Sequence, residues 1–201
     1  MGRVVRLLVG LISLPLFLCE ATPSFAGPPL LTLTYNLEQM AAAADRIFVG
    51  KVIDAREDYI QAAGGDLPVT VYTFEVEEAL KASIGGILTI QQVGHRSDFL
   101  GQTMPHYEVG TTVMLFLHAD SQYGLTSPVG LGQGAFLVKT EGPVKVSVTN
   151  GWGNRGLLER SARIDALLQA EPPQVAHALK AAKRSLPYEA FRNLVLKLIQ
   201  P

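Results

Sequence analysis

The chain has 201 residues, a formal net charge of −1 and 48% hydrophobic residues. That length suits a single domain behind a short leader, and a near-neutral balance without basic runs gives no electrostatic footprint for nucleic acid. The one cysteine, Cys19, leaves no partner for an intrachain disulfide and no thiolate cluster for a metal.

The leader comes first. Arg3 and Arg6 precede an apolar run, Leu7 to Leu18, and Ser24-Phe25-Ala26 supplies a small-x-small cleavage pattern. These are the charged, apolar and cleavage regions of a secretory signal peptide. The run is shorter than the roughly 20 apolar residues a spanning helix needs. Cleavage after Ala26 is expected to release an extracytoplasmic protein, periplasmic or secreted, starting Gly27-Pro28-Pro29 and not stably inserted in a membrane. Lipidation at Cys19 is the competing leader reading, disfavoured because Leu18 stands where a small residue is needed.

Asn36 and Gln39 form a capping-box pattern that opens a helix from Leu37 to about Ala44. Arg46 to Ile60 then reads as a strand, apolar on both faces at its start, with Gly50 marking a bend. Its faces are expected to carry Ile47, Val49 and Ile53 on one side and Phe48 and Val52 on the other. Gln61 to Pro68 reads as a loop. Val69 to Leu80 alternates cleanly, with Tyr72, Phe74 and Val76 facing one way, and Ile87 to Val93 forms the third strand of a meander.

Gly94 to Gly110 is a long polar loop. Thr111 to His118 follows as a strand apolar on both faces, Val113, Leu115 and Leu117 against Met114 and Phe116, which places it between two layers. Tyr123 to Gly134 is rich in Gly, Ser and Pro. Ala135–Thr140 and Val144–Thr149 are two short strands, and Asn150 to Gly156 is a glycine-punctuated loop. The remainder has helical spacing: a helix capped by Ser161, another starting at Pro172-Pro173, and a third after Pro187 carrying Phe191, Val195 and Leu198.

Ala44-Asp45 followed by Arg46-Ile47-Phe48-Val49-Gly50-Lys51-Val52 resembles the start of the netrin-like module, best known from the tissue inhibitors of metalloproteinases. The likeness continues through Tyr72–Lys81, Ile87–Gln92 and Gly110–Leu117, covering roughly residues 36–140. It implies an OB-fold, a five-stranded Greek-key barrel. It also implies a protease-binding N-terminus. In the inhibitors that end is a disulfide-tethered cysteine whose backbone groups chelate zinc; here the matching residue is Gly27, followed by Pro28, with no disulfide to hold it.

Other chemistry is weaker. His95, Asp98 and His106 share one loop, with His118 and Asp120 after the next strand, but the spacing matches no metal motif. Gly-x-Ser-x-Gly, His-Glu-x-x-His and Ser-x-x-Lys are missing from the sequence, although Ser97 and Ser127 lie in loops. Gly130-Leu131-Gly132-Gln133-Gly134 lacks the strand-before, helix-after setting of a dinucleotide loop and reads as a bulged connection. Glu75 and Glu77 share a solvent face. Trp152, beside Asn154 and Arg155, has the residue types in which binding energy concentrates, set against a structural role covering one end of the barrel.

The expected architecture is therefore mainly β: an OB-like barrel of five or slightly more strands over residues 27–156, behind a signal peptide at 1–26, with a helical tail over 157–201 packed on it. The expected role is an exported, non-enzymatic binding module for an extracytoplasmic protein or protease. Gly27, Pro28, Trp152, Asn154 and Arg155 are its contact residues; no cofactor or metal is called for. The alternatives are a small hydrolase or metal-dependent enzyme built on the His95/His106 loop, and a structural envelope protein.

Overall fold

Apolar residues at both even and odd positions of one strand require cover on both faces, and two such strands set the architecture. The computed structural model describes residues 33–62, 64–182 and 184–200. The expectations for the leader, for Cys19 and for Gly27 and Pro28 lie outside these residues.

Helix α1 (Leu37–Ala43) starts at Asn36, whose side chain accepts from the Gln39 amide while the Gln39 side chain accepts from the Asn36 amide. Its C-terminal carbonyls receive Lys81, whose Nζ donates to Ala41 O at 2.9 Å and also to Ala44 O. That places a cation where the helix dipole is negative and ties α1 to the end of a strand far along the chain.

Strands β1 (Arg46–Ala62) and β2 (Gly65–Lys81) form a long antiparallel hairpin. The expected loop over Gln61–Pro68 is instead strand almost to the tip, because Ile60 pairs with Leu67, Gln61 with Asp66 and Ala62 with Gly65. β1 is irregular where bending was expected. Register shifts fall at Val49/Gly50 and Val52/Asp54. A Cβ on Gly50 would stand 3.0 Å from Glu75 O and 3.1 Å from the Phe48 ring, so the bend needs a bare α-carbon. The second shift turns Ile53 out of the core; it is 43% exposed rather than sharing the face of Ile47 and Val49.

The sheet continues with β3 (Ile87–Val93), β4 (Thr112–Leu117), β5 (Ala135–Glu141), β6 (Val144–Asn150) and the two-residue β7 (Leu186–Pro187). The order is β3-β2-β1-β4-β5-β6-β7, antiparallel throughout. Among the described residues this ladder is an open seven-stranded antiparallel sheet, mainly β as expected from the sequence, and its paired strands do not close on themselves. β4 offers its second edge to β5, and β6 and β7 then carry the sheet away from β3. A short segment before β5 bridges to both β3 and β4. Leu125 makes a parallel bridge to Gln91 in β3, and Pro128 an antiparallel bridge to Leu117 in β4.

Each face of the sheet has its own core. One holds Phe48, Val52, Tyr72, Phe74, Ile90, Val113, Leu115 and Leu117, closed by Tyr107 from the loop before β4. Its rings meet edge to face, Phe48 on Phe74 at 5.3 Å and Tyr72 on Tyr107 at 4.8 Å. The other holds Ile47, Val49, Met114, Phe116, Phe136 and Val148 under α1 and the tail helices α3 (Ala162–Ala170), α4 (Pro173–Ala181) and α5 (Tyr188–Ile199). Phe136 meets Phe191 of α5 at 5.0 Å. The tail is therefore part of the main core rather than an appendage. Ser161 caps α3 through the Ile164 amide, and Arg192 of α5 pairs with Glu78 of β2. No helix among the described residues is long and apolar enough to cross a membrane.

Candidate functional site

The stretch between β3 and β4 is not all loop. Asp98 caps a short helix, α2 (Phe99–Thr103), by accepting from the Gly101 amide, and it also accepts from the His95 amide. Those backbone donors hold its carboxyl below the ordinary carboxylate range. Because the folded pKa is depressed, the contribution is complete above the unfolded value near 3.8 and is lost as pH falls below it toward the folded pKa. Amide protection factors at residues 94–103, corrected for the intrinsic pH dependence of exchange, are expected to fall on acidification through that window, ahead of those of the sheet amides. Uniform exchange across loop and sheet would show that Asp98 does not order the loop.

The histidines serve different elements. His95 Nε2 lies 2.9 Å from Asp58 O, and its ring stands edge-on to Tyr59, fastening the loop to the β1–β2 hairpin. His106 Nδ1 lies 3.4 Å from the Tyr72 hydroxyl. Loss of hydration where its ring meets the protein lowers the His106 pKa, and the Arg96 guanidinium adds to the shift. His118 sits past β4, and Asp120 pairs with Arg46. No three His, Cys, Asp or Glu side chains converge among the described residues.

Trp152, Asn154 and Arg155 do fall in one turn after β6, but with unequal roles. Asn154 is 8% exposed, and its backbone has φ 59°. Its Oδ1 accepts from the Asn150 amide, and its Nδ2 donates to Val148 O and Arg184 O. Asn150 reciprocates: its Oδ1 accepts from the Trp152 and Asn154 amides, and its Nδ2 donates to Gln133 O. Gln133, 2% exposed, reaches on to the start of the described chain, accepting from the Tyr35 amide and donating to Leu33 O. Asn154 is thus a buried strut, with its side-chain amide committed within the fold. Two amide side chains four residues apart in a glycine loop were the available signal, since Asn tolerates left-handed backbone and bonds locally. Arg155 is exposed, with Nε donating to Trp152 O. Trp152 is half-buried; a Cβ at Gly132 would stand 3.7 Å from its indole Cδ1.

Next to this strut opens a cleft of about 480 Å³ that sequence reasoning did not find. One wall is the segment before β4, with Pro105, His106, Tyr107 and Glu108; the other is Gly132, Leu137, Thr149 and Gly151; Val113 and Ala135 also line it. It arises because β5 and β6 extend the sheet past the region covered by Tyr107, leaving a shelf beside a step. Leu137 on the shelf is 53% exposed and Val109 near the step is 58% exposed. The lining hydroxyls are already committed: Thr111 donates to Glu108 O and Thr149 to Arg184 O. The Tyr107 hydroxyl is fully buried, which pushes its pKa up, and it accepts from Gln92 Nε2. What the site presents is an apolar recess of ligand size with an imidazole and a carboxylate on one wall.

A scan against models of known protein families finds no match, and a search of curated proteins finds none.

Proposed function

We propose that this chain is an exported, non-enzymatic binding module that receives an apolar segment of a protein partner in the cleft beside Leu137. The observation that carries the reading is the combination of a recess of about 480 Å³ with half-exposed leucine on its shelf. Leucine in that setting is held in place by sheet pairing with Thr149 and Val113 while its side chain faces solvent. Concave, mainly apolar sites with few oriented polar groups are where ligands bury most of their surface. Export rests on the N-terminal pattern of Arg3, Arg6, Leu7–Leu18 and Ala26.

An OB-type barrel is part of the same proposal. The bridges at Leu125 and Pro128 support it, since a strand parallel to the third and antiparallel to the fourth is the element that would complete a ring around the Tyr72–Phe74 core. Protease engagement through Gly27 belongs here too, on the netrin-like resemblance.

The test is parallel capture of extracytoplasmic proteins on wild-type protein and Leu137→Glu. The side chain is exposed, so the variant is expected to melt within a few degrees of wild type while the rim becomes charged. A partner retained by wild type and lost from Leu137→Glu is the expected result. Identical capture by both proteins would remove the cleft from the function.

A further inference from the structure

A second recess lies between the turn after β6 and the corner joining α4 to β7, with a volume of about 580 Å³. Its floor is aliphatic: the partly buried Leu158 and Ala182 lie in the lining with Leu157, Leu179 and Leu186, which are each at most 2% exposed. Its rim is cationic. Arg155 and Lys180 line it and are exposed, and neither forms an ion pair among the described residues. Glu159 is the one carboxylate in the lining. The chain as a whole carries −1, so the local excess of positive charge comes from the fold and not from composition.

The strut described above holds this rim in place. Asn154 Nδ2 donates to Arg184 O, tying the turn after β6 to the segment before β7, and Arg155 Nε donates to Trp152 O of its own turn. Lys180 also lies in the last turn of α4, where a cation offsets the negative end of the helix dipole. That role needs no cleft, and the variants below separate it from ligand binding.

We propose that this recess binds a single amphiphile with an anionic head group, a carboxylate or phosphate at the Arg155–Lys180 rim and an aliphatic chain along Leu158 and Ala182. Guanidinium and ammonium groups are matched to such heads, and a ligand-sized aliphatic floor takes the chain. The opposing Glu159 gives the site a signed control: removing its charge strengthens binding of an anion.

The experiment is isothermal titration of the full mature protein with dodecyl phosphate below its micelle concentration, with dodecyl maltoside as the uncharged counterpart. Saturable one-to-one binding of the phosphate is expected, weakening as salt is raised. Arg155→Gln with Lys180→Gln should weaken it at least tenfold, and Glu159→Gln should tighten it severalfold, at unchanged melting temperature. A parallel arm measures sedimentation with phosphatidylglycerol vesicles, which reads the membrane source of the same chemistry. No saturable binding of dodecyl phosphate would overturn the proposal, as would equal affinity for the maltoside or an affinity unmoved in all variants. Binding to vesicles without binding to the monomeric amphiphile would also overturn it, in favour of a surface contact.

Discussion

Replacing Asn154 by Ala is expected to lower the unfolding free energy by about 3 kcal/mol, from lost hydrogen bonds at a buried site and a side chain forced into left-handed backbone. Three bonds vanish: the one accepted from Asn150 N at 2.9 Å, and those donated to Val148 O at 3.0 Å and Arg184 O at 3.2 Å. The carbonyls of Val148 and Arg184 belong to different parts of the chain, so the change loosens β6 from the corner leading into β7. Asn154→Gly removes the same bonds but tolerates φ 59°, and should recover about 1 kcal/mol of the loss. Urea unfolding of the three proteins checks this. A contact residue would behave the other way, with weaker partner capture and an unchanged midpoint, and that outcome would support the contact reading made from sequence.

Gly134→Ala is expected to be at least as damaging, also about 3 kcal/mol, by a different route. A Cβ there would lie 2.5 Å from Val129 O, 2.9 Å from Val129 N and 3.2 Å from Phe116 O. These are backbone atoms, so no side chain can rotate away. The Gly134 carbonyl accepts from Phe116 N, and Phe116 O accepts from Val129 N; relieving the clash pulls apart the end of β4 that the Leu125–Pro128 segment also contacts. Gly85→Ala is the control, with nothing within 4 Å of its added atom and an expected change below about 0.5 kcal/mol. Equal midpoints for the two variants would show that the close approach at Gly134 is not maintained in solution.

Much of the architecture was legible because it is written locally. The opposed sets Val113, Leu115, Leu117 and Met114, Phe116 announced a two-sided strand, and they do face two separate cores. Asn36 with Gln39, and Ser161, marked helix starts through side chains that cap amides three residues away. The errors sit where pairing is decided by distant partners. Helix α2 is five residues long and depends on one Asp98 cap, too short to show a period. The tip of the β1–β2 hairpin contains polar residues and Pro68, a loop-like composition that register with β1 nevertheless keeps extended.

The site was less legible than the fold. Trp152, Asn154 and Arg155 are neighbours in sequence, and residue type alone did not distinguish the buried amide from the exposed guanidinium. Gln133 reaches Leu33 across 100 positions, a contact that no local pattern encodes. The cleft itself is a difference in cover: β5 continues beyond the edge of the Tyr107 cap, and Leu137 stands on the uncovered part. An apolar residue at an outward position of a strand is common on surfaces, so Leu137 carried no signal until the opposite wall was seen.

The most direct measurement places a photoreactive benzophenone side chain at position 137 and, as a remote control, at the equally exposed position 87 on β3. On irradiation in extracytoplasmic extract, one discrete protein adduct is expected at 137 and is expected to be absent at 87. Adducts of the same masses at both positions, or none at 137, would contradict a partner seated in the cleft.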